Sequence, residues 1–165
     1  MQFGTPANGT VLFVGSDACE HSSLRQIFDD SPWEFQGTFT IRDGLDLLRR
    51  THHQIGVVIC ERVLPDGDWK IVLTELDSTP DRPTTLIVSS RLADERLWAE
   101  VLNLGAFDLL LGSPFVAEEV LRVTQCASMA GGGVADLRSG AQFSSELSHL
   151  PRYSPVVAQI ATGNA

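Results

Sequence analysis

The chain has 165 residues, 43% of them hydrophobic and 20% charged, which is typical of one globular domain with a hydrophobic core. Its formal net charge of −9 argues against non-specific nucleic-acid binding, because that binding depends on Lys and Arg neutralising phosphates. No apolar run approaches the roughly 20 residues that a membrane-spanning helix needs, so no membrane association is expected.

Five short segments have the pattern of β-strands. Trp33–Thr40 alternates apolar and polar residues, which predicts a strand at the edge of a sheet. The others are nearly continuous in apolar residues, as strands buried on both faces of a parallel sheet are. These four segments are Val11–Val14, Ile55–Cys60, Thr85–Val88 and Asp108–Leu111.

The segments between the strands have the period of amphipathic helices. The first, about residues 18–30, follows Asp17, and Glu20 three positions later completes the pattern of a capping box. The second begins at Thr40. In the third, the apolar residues fall at i, i+3, i+4 and i+7, which is one face of a helix. They are Trp69, Val72, Leu73 and Leu76.

Two further helices are predicted in the second half of the chain. The fourth ends at Gly105, a residue that suits a helix C-terminus. The fifth begins with Ser113 as N-cap and Pro114 at the first helical position. The side chains that these two helices are expected to bury are Leu97, Val101, Leu104, Val116, Val120 and Val123.

Alternating strands and helices predict an α/β fold. Five strand–helix repeats with right-handed crossovers give a doubly wound, five-stranded parallel sheet of flavodoxin-like type, most simply in the order 2-1-3-4-5. The periodic pattern ends near residue 127, so we expect a domain over residues 1–127. Residues 128–165, which include Gly131–Gly133 and are rich in Gly and Ser, are expected to form a mobile tail.

The N-terminal segment and the cysteines indicate the compartment. Residues 1–10 contain neither a basic residue nor an apolar core, so they lack the pattern of a signal peptide. Cys19, Cys60 and Cys126 are odd in number, far apart and without Cys or His at metal-ligand spacing. We expect three free thiols in a cytoplasmic protein.

Ligands of such a sheet bind where the strands end, and two motifs there indicate a family. Glu61-Arg62-Val63-Leu64-Pro65-Asp66-Gly67 follows the third strand, and Gly105-Ala106-Phe107-Asp108 leads to Ser113-Pro114-Phe115. Over roughly residues 10–127 the chain resembles the receiver domains of bacterial response regulators. Their corresponding motifs are Asp-x-x-x-Pro and Gly-Ala-x-Asp-Tyr-x-x-Lys-Pro-Phe, and this chain has one extra residue in the second.

The resemblance implies a phosphorylation pocket, but most of its residues are changed here. In the family, an acidic pair after the first strand holds Mg²⁺, and these positions are Gly15 and Ser16, with only Asp17 one residue later. The phosphoacceptor Asp corresponds to Glu61. The hydroxyl after the fourth strand is retained as Ser89, whereas the Lys after the fifth strand corresponds to Ser113, and no Tyr occupies the position of the switch aromatic.

The missing groups are those that phosphoryl transfer needs. Its transition state is stabilised mainly by positioning and by neutralisation of the phosphoryl oxygens, and neither a Mg²⁺ site nor a Lys is expected here. We therefore expect no catalytic residue, no metal and no cofactor. Recovery of activity should require at least Gly15→Asp, Ser16→Asp, Glu61→Asp and Ser113→Lys together.

Several polar residues near the strand ends allow two interpretations. Glu61 could imitate an aspartyl phosphate facing Ser89, or it could simply be solvated in a pocket that has lost its function, or pair with Arg62 or Arg91 there. The remaining aspartates after the strands could form a weak cation site, although such residues more often cap helices and form turns. They are Asp17, Asp66 and Asp68. Cys60 is expected to be a small core residue.

These observations predict a signalling domain that acts by protein–protein interaction in two-component signal transduction. Its partner is expected to be a signalling protein or a second copy of the chain, with no small-molecule substrate. Trp98 and Leu102, turned away from the core side of the fourth helix, are the candidate interface. The alternatives are a phosphorelay receiver with an atypical acceptor and a flavodoxin-like domain that binds a small ligand.

Overall fold

Strands and helices alternate along the chain. The computed structural model describes residues 9–51, 54–79 and 84–137, the last six of these by their backbone alone. In chain order the elements are β1 (Thr10–Val14), α1 (Ala18–Asp29), β2 (Glu34–Thr38), α2 (Ile41–Arg50), β3 (Ile55–Glu61), β4 (Val63–Leu64), β5 (Gly67–Asp68), α3 (Trp69–Asp77), β6 (Thr85–Ser90), α4 (Glu95–Leu104), β7 (Asp108–Leu111) and α5 (Ala117–Leu137).

The main sheet has five strands in the order β2-β1-β3-β6-β7, and all of its neighbouring strands are parallel. The two short strands β4 and β5 form a separate antiparallel pair directly after β3. Because β6 and β7 are therefore the fourth and fifth strands of the main sheet, the predicted order 2-1-3-4-5 is confirmed. The predicted edge position of β2 is confirmed as well.

The core lies on both faces of this sheet. On β1, Leu12 and Val14 belong to the layer formed with α2, α3 and α4, whereas Val11 and Phe13 belong to the layer formed with α1 and α5. All four side chains are fully buried. This two-sided burial explains why the central strands are nearly continuous in apolar residues.

Polar side chains fix the beginnings of the helices at the carboxyl ends of the strands. The N-cap residues Asp17, Thr40, Asp68 and Asp94 each accept a hydrogen bond from a backbone N–H of the first helical turn. Gly105 ends α4 with a φ of 110°, which confirms its predicted role. The predicted capping box of α1 is confirmed for Asp17, which caps the helix. It is wrong for Glu20, whose carboxylate accepts hydrogen bonds from Arg91 and Ser113.

The start of α5 differs from the prediction. Ser113 has a φ of 53°, outside the helical region, and its hydroxyl donates to Glu20, so it does not cap α5. The Ser113–Pro114 peptide bond is cis, and the helix begins only at Ala117. Val116 consequently lies outside the helix and is exposed, whereas it was expected in the core.

The end of α5 also differs, because the helix crosses the predicted domain boundary at residue 127 and continues to Leu137. Ala127 is fully buried, and its carbonyl accepts a hydrogen bond from the Thr85 hydroxyl. A helix anchored in this way can add further turns cooperatively, even through Gly131–Gly133. Residues 138–165 of the predicted tail lie outside the described residues.

Leu104, the last residue of α4, is exposed rather than buried as expected. The chain turns at Gly105, and the buried Ala106 behind it packs in the core instead.

Candidate functional site

The residues singled out in the sequence lie along one edge of the sheet, called the carboxyl edge below. Gly15 follows β1, Glu61 ends β3, Ser89 lies near the end of β6, and Gly112 follows β7. Glu61 and Ser89 are direct partners in the parallel pairing of β3 with β6, so their side chains project from the same face of the sheet. The fold therefore brings the predicted pocket residues together.

Glu61 has a different partner from either of those predicted. Its carboxylate accepts hydrogen bonds from the Ser16 backbone N–H at 2.8 Å and from the Ser16 hydroxyl at 2.9 Å. Among the described residues, Glu61 makes no hydrogen bond to Ser89, the contact on which imitation of a phosphoryl group would depend. It forms no ion pair with Arg62 or Arg91 either. The three partners predicted for Glu61, which were Ser89, Arg62 and Arg91, were therefore wrong.

The hydroxyl of Ser89 is buried and unused. Ser89 is 1% exposed, and within the described residues its Oγ has no hydrogen-bond partner. Leaving a buried hydroxyl without a partner costs about 1–3 kcal/mol.

An aromatic ring takes the space in which a side chain at residue 15 would project. A Cβ atom added to Gly15 would lie 2.3 Å from Cζ and 2.6 Å from Cε1 of Phe13. The Phe13 ring is fully buried and makes edge contacts with His21 at 4.7 Å and Phe115 at 6.4 Å between ring centroids. No residue larger than glycine fits at position 15 unless this ring moves.

His21 fixes the loop after β1, and sequence reasoning missed it. Its Nε2 lies 2.7 Å from the carbonyl oxygen of Gly15, so Nε2 carries the proton, since a carbonyl can only accept. The ring is buried and stacks on Phe39 at 4.1 Å. A Cβ atom at Gly37 would lie 2.4 Å from Nδ1 of His21, which explains the glycine in this edge strand.

A polar cluster joins three of the loops at the carboxyl edge. Arg91, after β6, donates to Glu20 of α1 at 3.1 Å and also bonds Asp17. The Ser113 hydroxyl, after β7, donates to the same Glu20 oxygen at 2.8 Å. Glu20 is only 3% exposed, so its charge is compensated by these donors and not by bulk water.

The charge of Asp17 is stabilised by its neighbours. The pKa of Asp17 lies below its ordinary value, because the Cys19 backbone N–H and then Arg91 donate hydrogen bonds to its carboxylate. This cluster could not be predicted from the sequence, because Glu20 and Arg91 are 71 positions apart.

The three aspartates considered for a cation site all cap helices. Asp17 caps α1, Asp68 caps α3, and Asp66 accepts from the backbone N–H groups of Ile41 and Arg42 at the start of α2. Among the described residues, no three or more His, Cys, Asp and Glu side chains are grouped so that they could hold a metal ion. Their capping role is the one typical of such residues.

Cys60 is a core residue, as expected. It is fully buried between the sheet and the layer of α2, α3 and α4, and burial raises the pKa of its thiol.

The candidate interface on α4 is partly buried. Trp98 packs against the core. Leu102 is also partly buried. Since Trp98 is not fully buried, its role in an interface remains a prediction.

A cleft of about 300 Å³ opens between α1 and the loop that precedes α5. Its volume is at the lower limit for small-ligand pockets, and it lies beside α1 rather than between β1 and β3, where the strand order reverses. It is lined by Cys19, Glu20, Ser23, Ser113, Pro114 and Phe115.

Comparisons with solved structures identify the fold. The chain superposes on the signal receiver domain of a Luxo repressor protein from Vibrio parahaemolyticus with a TM-score of 0.68 and 22% identity, over 81% of this chain and 99% of that one. It also superposes on the receiver domain of an HD domain-containing protein from Pseudomonas fluorescens Pf-5, with a TM-score of 0.67 and 22% identity over 78% and 93%.

A third similar structure is a chain of the CheX-CheY-BeF3-Mg²⁺ complex from Borrelia burgdorferi. Its TM-score is 0.64 and its identity 19%, over 74% of this chain and 97% of that one. No protein-family model matches the sequence, and no curated protein is significantly similar to it. The fold is therefore that of receiver domains. In the described part of the chain, every helix is too short or too polar to cross a membrane.

Proposed function

We propose that this chain is a receiver-like signalling domain that acts by binding another protein in two-component signal transduction and does not accept a phosphoryl group. It would act by binding, not by catalysis. The receiver fold supports the signalling role, and the changed carboxyl edge supports the loss of phosphorylation.

The observation that carries this proposal is that the positions expected to neutralise a phosphoryl group are otherwise engaged. The Phe13 ring takes the space beside Gly15, where the first acidic residue would project. Ser113, at the position of the Lys, donates to Glu20 instead. Losing one charge-stabilising contact commonly costs about 3–4 kcal/mol in a transition state, and here two are absent.

Arg91 does not replace the missing cation. Its guanidinium is already bonded to Asp17 and Glu20, so binding a phosphoryl group would require breaking these contacts and leaving the buried Glu20 carboxylate uncompensated.

Intact-mass spectrometry after incubation with a small-molecule phosphodonor and Mg²⁺ tests the proposal. We expect no added phosphoryl mass on the unmodified protein or on Glu61→Asp, while a phosphorylatable receiver domain in the same reaction shows that the donor is active. Stoichiometric phosphorylation on Glu61 would establish the alternative, a phosphorelay receiver with an atypical acceptor.

A further inference from the structure

Three large apolar side chains are exposed in the segments that follow neighbouring strands at the carboxyl edge. Val63 follows β3 and is 63% exposed, Leu92 follows β6 and is 82% exposed, and Val116 follows β7 and is 57% exposed. We call them the apolar rim. Because β3, β6 and β7 are consecutive in the sheet and neighbouring strands are roughly 4.8 Å apart, the rim borders one continuous edge.

Leu92, the most exposed of the three, is held in a defined turn. The Ser90 hydroxyl donates to the Leu92 carbonyl at 2.7 Å and accepts from the Leu92 backbone N–H at 3.3 Å. The preceding residue, Arg91, is anchored to Glu20 and Asp17. A side chain presented in this way loses little conformational entropy when a partner covers it, which favours binding.

The surroundings of the apolar rim are predominantly acidic. The cations in the same loops and first helical turns are Arg42, Arg62, Lys70 and Arg96, of which Lys70 is paired with Glu100, and Arg91 is already paired with two carboxylates. Aspartates that cap helices keep their negative charge while they accept backbone N–H groups. The carboxylates in the loops and first helical turns of this edge are Glu61, Asp66, Asp68, Asp94, Glu95, Glu118 and Glu119.

This combination defines the chemistry of a partner. Anionic membranes and nucleic acids would be repelled by the carboxylates, and so would a second copy of the same edge. A protein segment that presents apolar side chains flanked by Lys or Arg would satisfy both the apolar rim and the charge around it.

We propose that the carboxyl edge is a docking surface for a basic amphipathic segment of another protein. Its apolar side chains cover Val63, Leu92 and Val116, and its cations face the surrounding carboxylates. The inference rests on the proposed function, since it specifies where and what the signalling domain binds. It also uses an edge that phosphoryl chemistry no longer requires.

A designed peptide with Leu at helical spacing and Lys at its other positions is the probe, and a Leu/Glu peptide of the same pattern is its control. We expect saturable binding of the Leu/Lys peptide that weakens with rising salt, and no binding of the Leu/Glu peptide. NMR shift perturbations should centre on the loops after β3, β6 and β7.

Leu92→Ser should weaken this binding about tenfold or more, the equivalent of losing the burial of one leucine side chain. The matched control is Leu104→Ser. Leu104 is 48% exposed but lies at the opposite end of α4, roughly 15 Å away along the helix, and its replacement should change the affinity less than twofold. Both variants should keep the melting temperature of the parent, since both side chains are largely in solvent.

Equal effects of the two variants, shifts centred on another face, or a dimer that Leu92→Ser converts to a monomer would each overturn the docking proposal. The phosphodonor assay on the same proteins reads out the proposed function separately. Phosphoryl uptake would refute the proposed function, whether or not the peptide binds. Failure of the peptide to bind would refute the docking proposal and would not affect the phosphorylation result.

Discussion

A methyl group placed on residue 15 should destabilise the fold. In Gly15→Ala the new Cβ would lie 2.3 Å from Cζ of Phe13, well inside the distance at which carbon atoms can pack. The Phe13 ring is fully buried against His21 and Phe115, so it cannot move into solvent. Overpacking of this kind costs about 2 kcal/mol, which lowers the melting temperature by roughly 6–10 °C in a domain of this size.

A double-mutant cycle with Phe13→Leu identifies the ring as the cause. Phe13→Leu alone should cost about 1–2 kcal/mol through lost packing. In the double variant the methyl group gains room, so the combined loss should be smaller than the sum of the two by about 1 kcal/mol or more. Urea unfolding followed by circular dichroism measures all four proteins.

Gly56 provides the control, because it is a glycine of the neighbouring strand β3 at which a Cβ atom meets nothing within 4 Å. Gly56→Ala should leave the stability unchanged or raise it by up to about 1 kcal/mol. If Gly15→Ala proved as harmless as Gly56→Ala, or if the cycle with Phe13 showed no coupling, the steric argument would be wrong. An acidic residue at position 15 would then not require a smaller residue at position 13.

Three further outcomes can be checked by unfolding measurements. Glu20→Ala removes the buried acceptor of a guanidinium and a hydroxyl and should cost about 2 kcal/mol, and an unchanged midpoint would show that the cluster contributes no stability. A chain ending at Ala127 should melt lower than one ending at Leu137, because the last buried turn of α5 would fray, and equal melting temperatures would contradict this. Burial raises the pKa of Asp108, so the folded protein holds this proton more tightly than the unfolded chain does. The folded state is therefore stabilised by Asp108 at a pH below the ordinary pKa, and this stabilisation is lost as the pH rises through the raised pKa. Asp108→Asn cannot titrate, so its stability relative to the parent should increase as the pH rises above the ordinary pKa of an aspartate, about 4. A stability difference between the two proteins that does not change with pH would contradict this.

The fold could be predicted because its signals are local. Strands buried on both faces need continuous apolar residues, and caps such as Asp17 and Gly105 mark helix ends within one turn. The errors came where a tertiary contact overrides the local pattern. Ser113 followed by Pro114 is a good helix start by composition, but here its hydroxyl is bonded to Glu20 of another helix and its φ is not helical.

The pocket positions could be predicted, but their contacts could not. The fold places Glu61, Ser89 and the residues after β1 along one edge, and this depends only on strand order. Which way the Phe13 ring leans along its strand depends on the packing around it, and strand side chains adopt more than one rotamer. The filling of the space beside Gly15 was therefore visible only in three dimensions.

The hydrogen-bond donors at the carboxyl edge are matched to its carboxylates. Clustered carboxylates repel unless a cation or hydrogen-bond donors compensate them. Here Ser16 supplies two donors to Glu61, and Ser113 together with Arg91 supplies donors to Glu20. Ser16→Asp alone would remove a donor and place a second carboxylate against Glu61, where the Ser16 hydroxyl now lies at 2.9 Å. An acidic residue at position 16 would therefore be opposed by the neighbouring Glu61 carboxylate, and one at position 15 by the Phe13 ring.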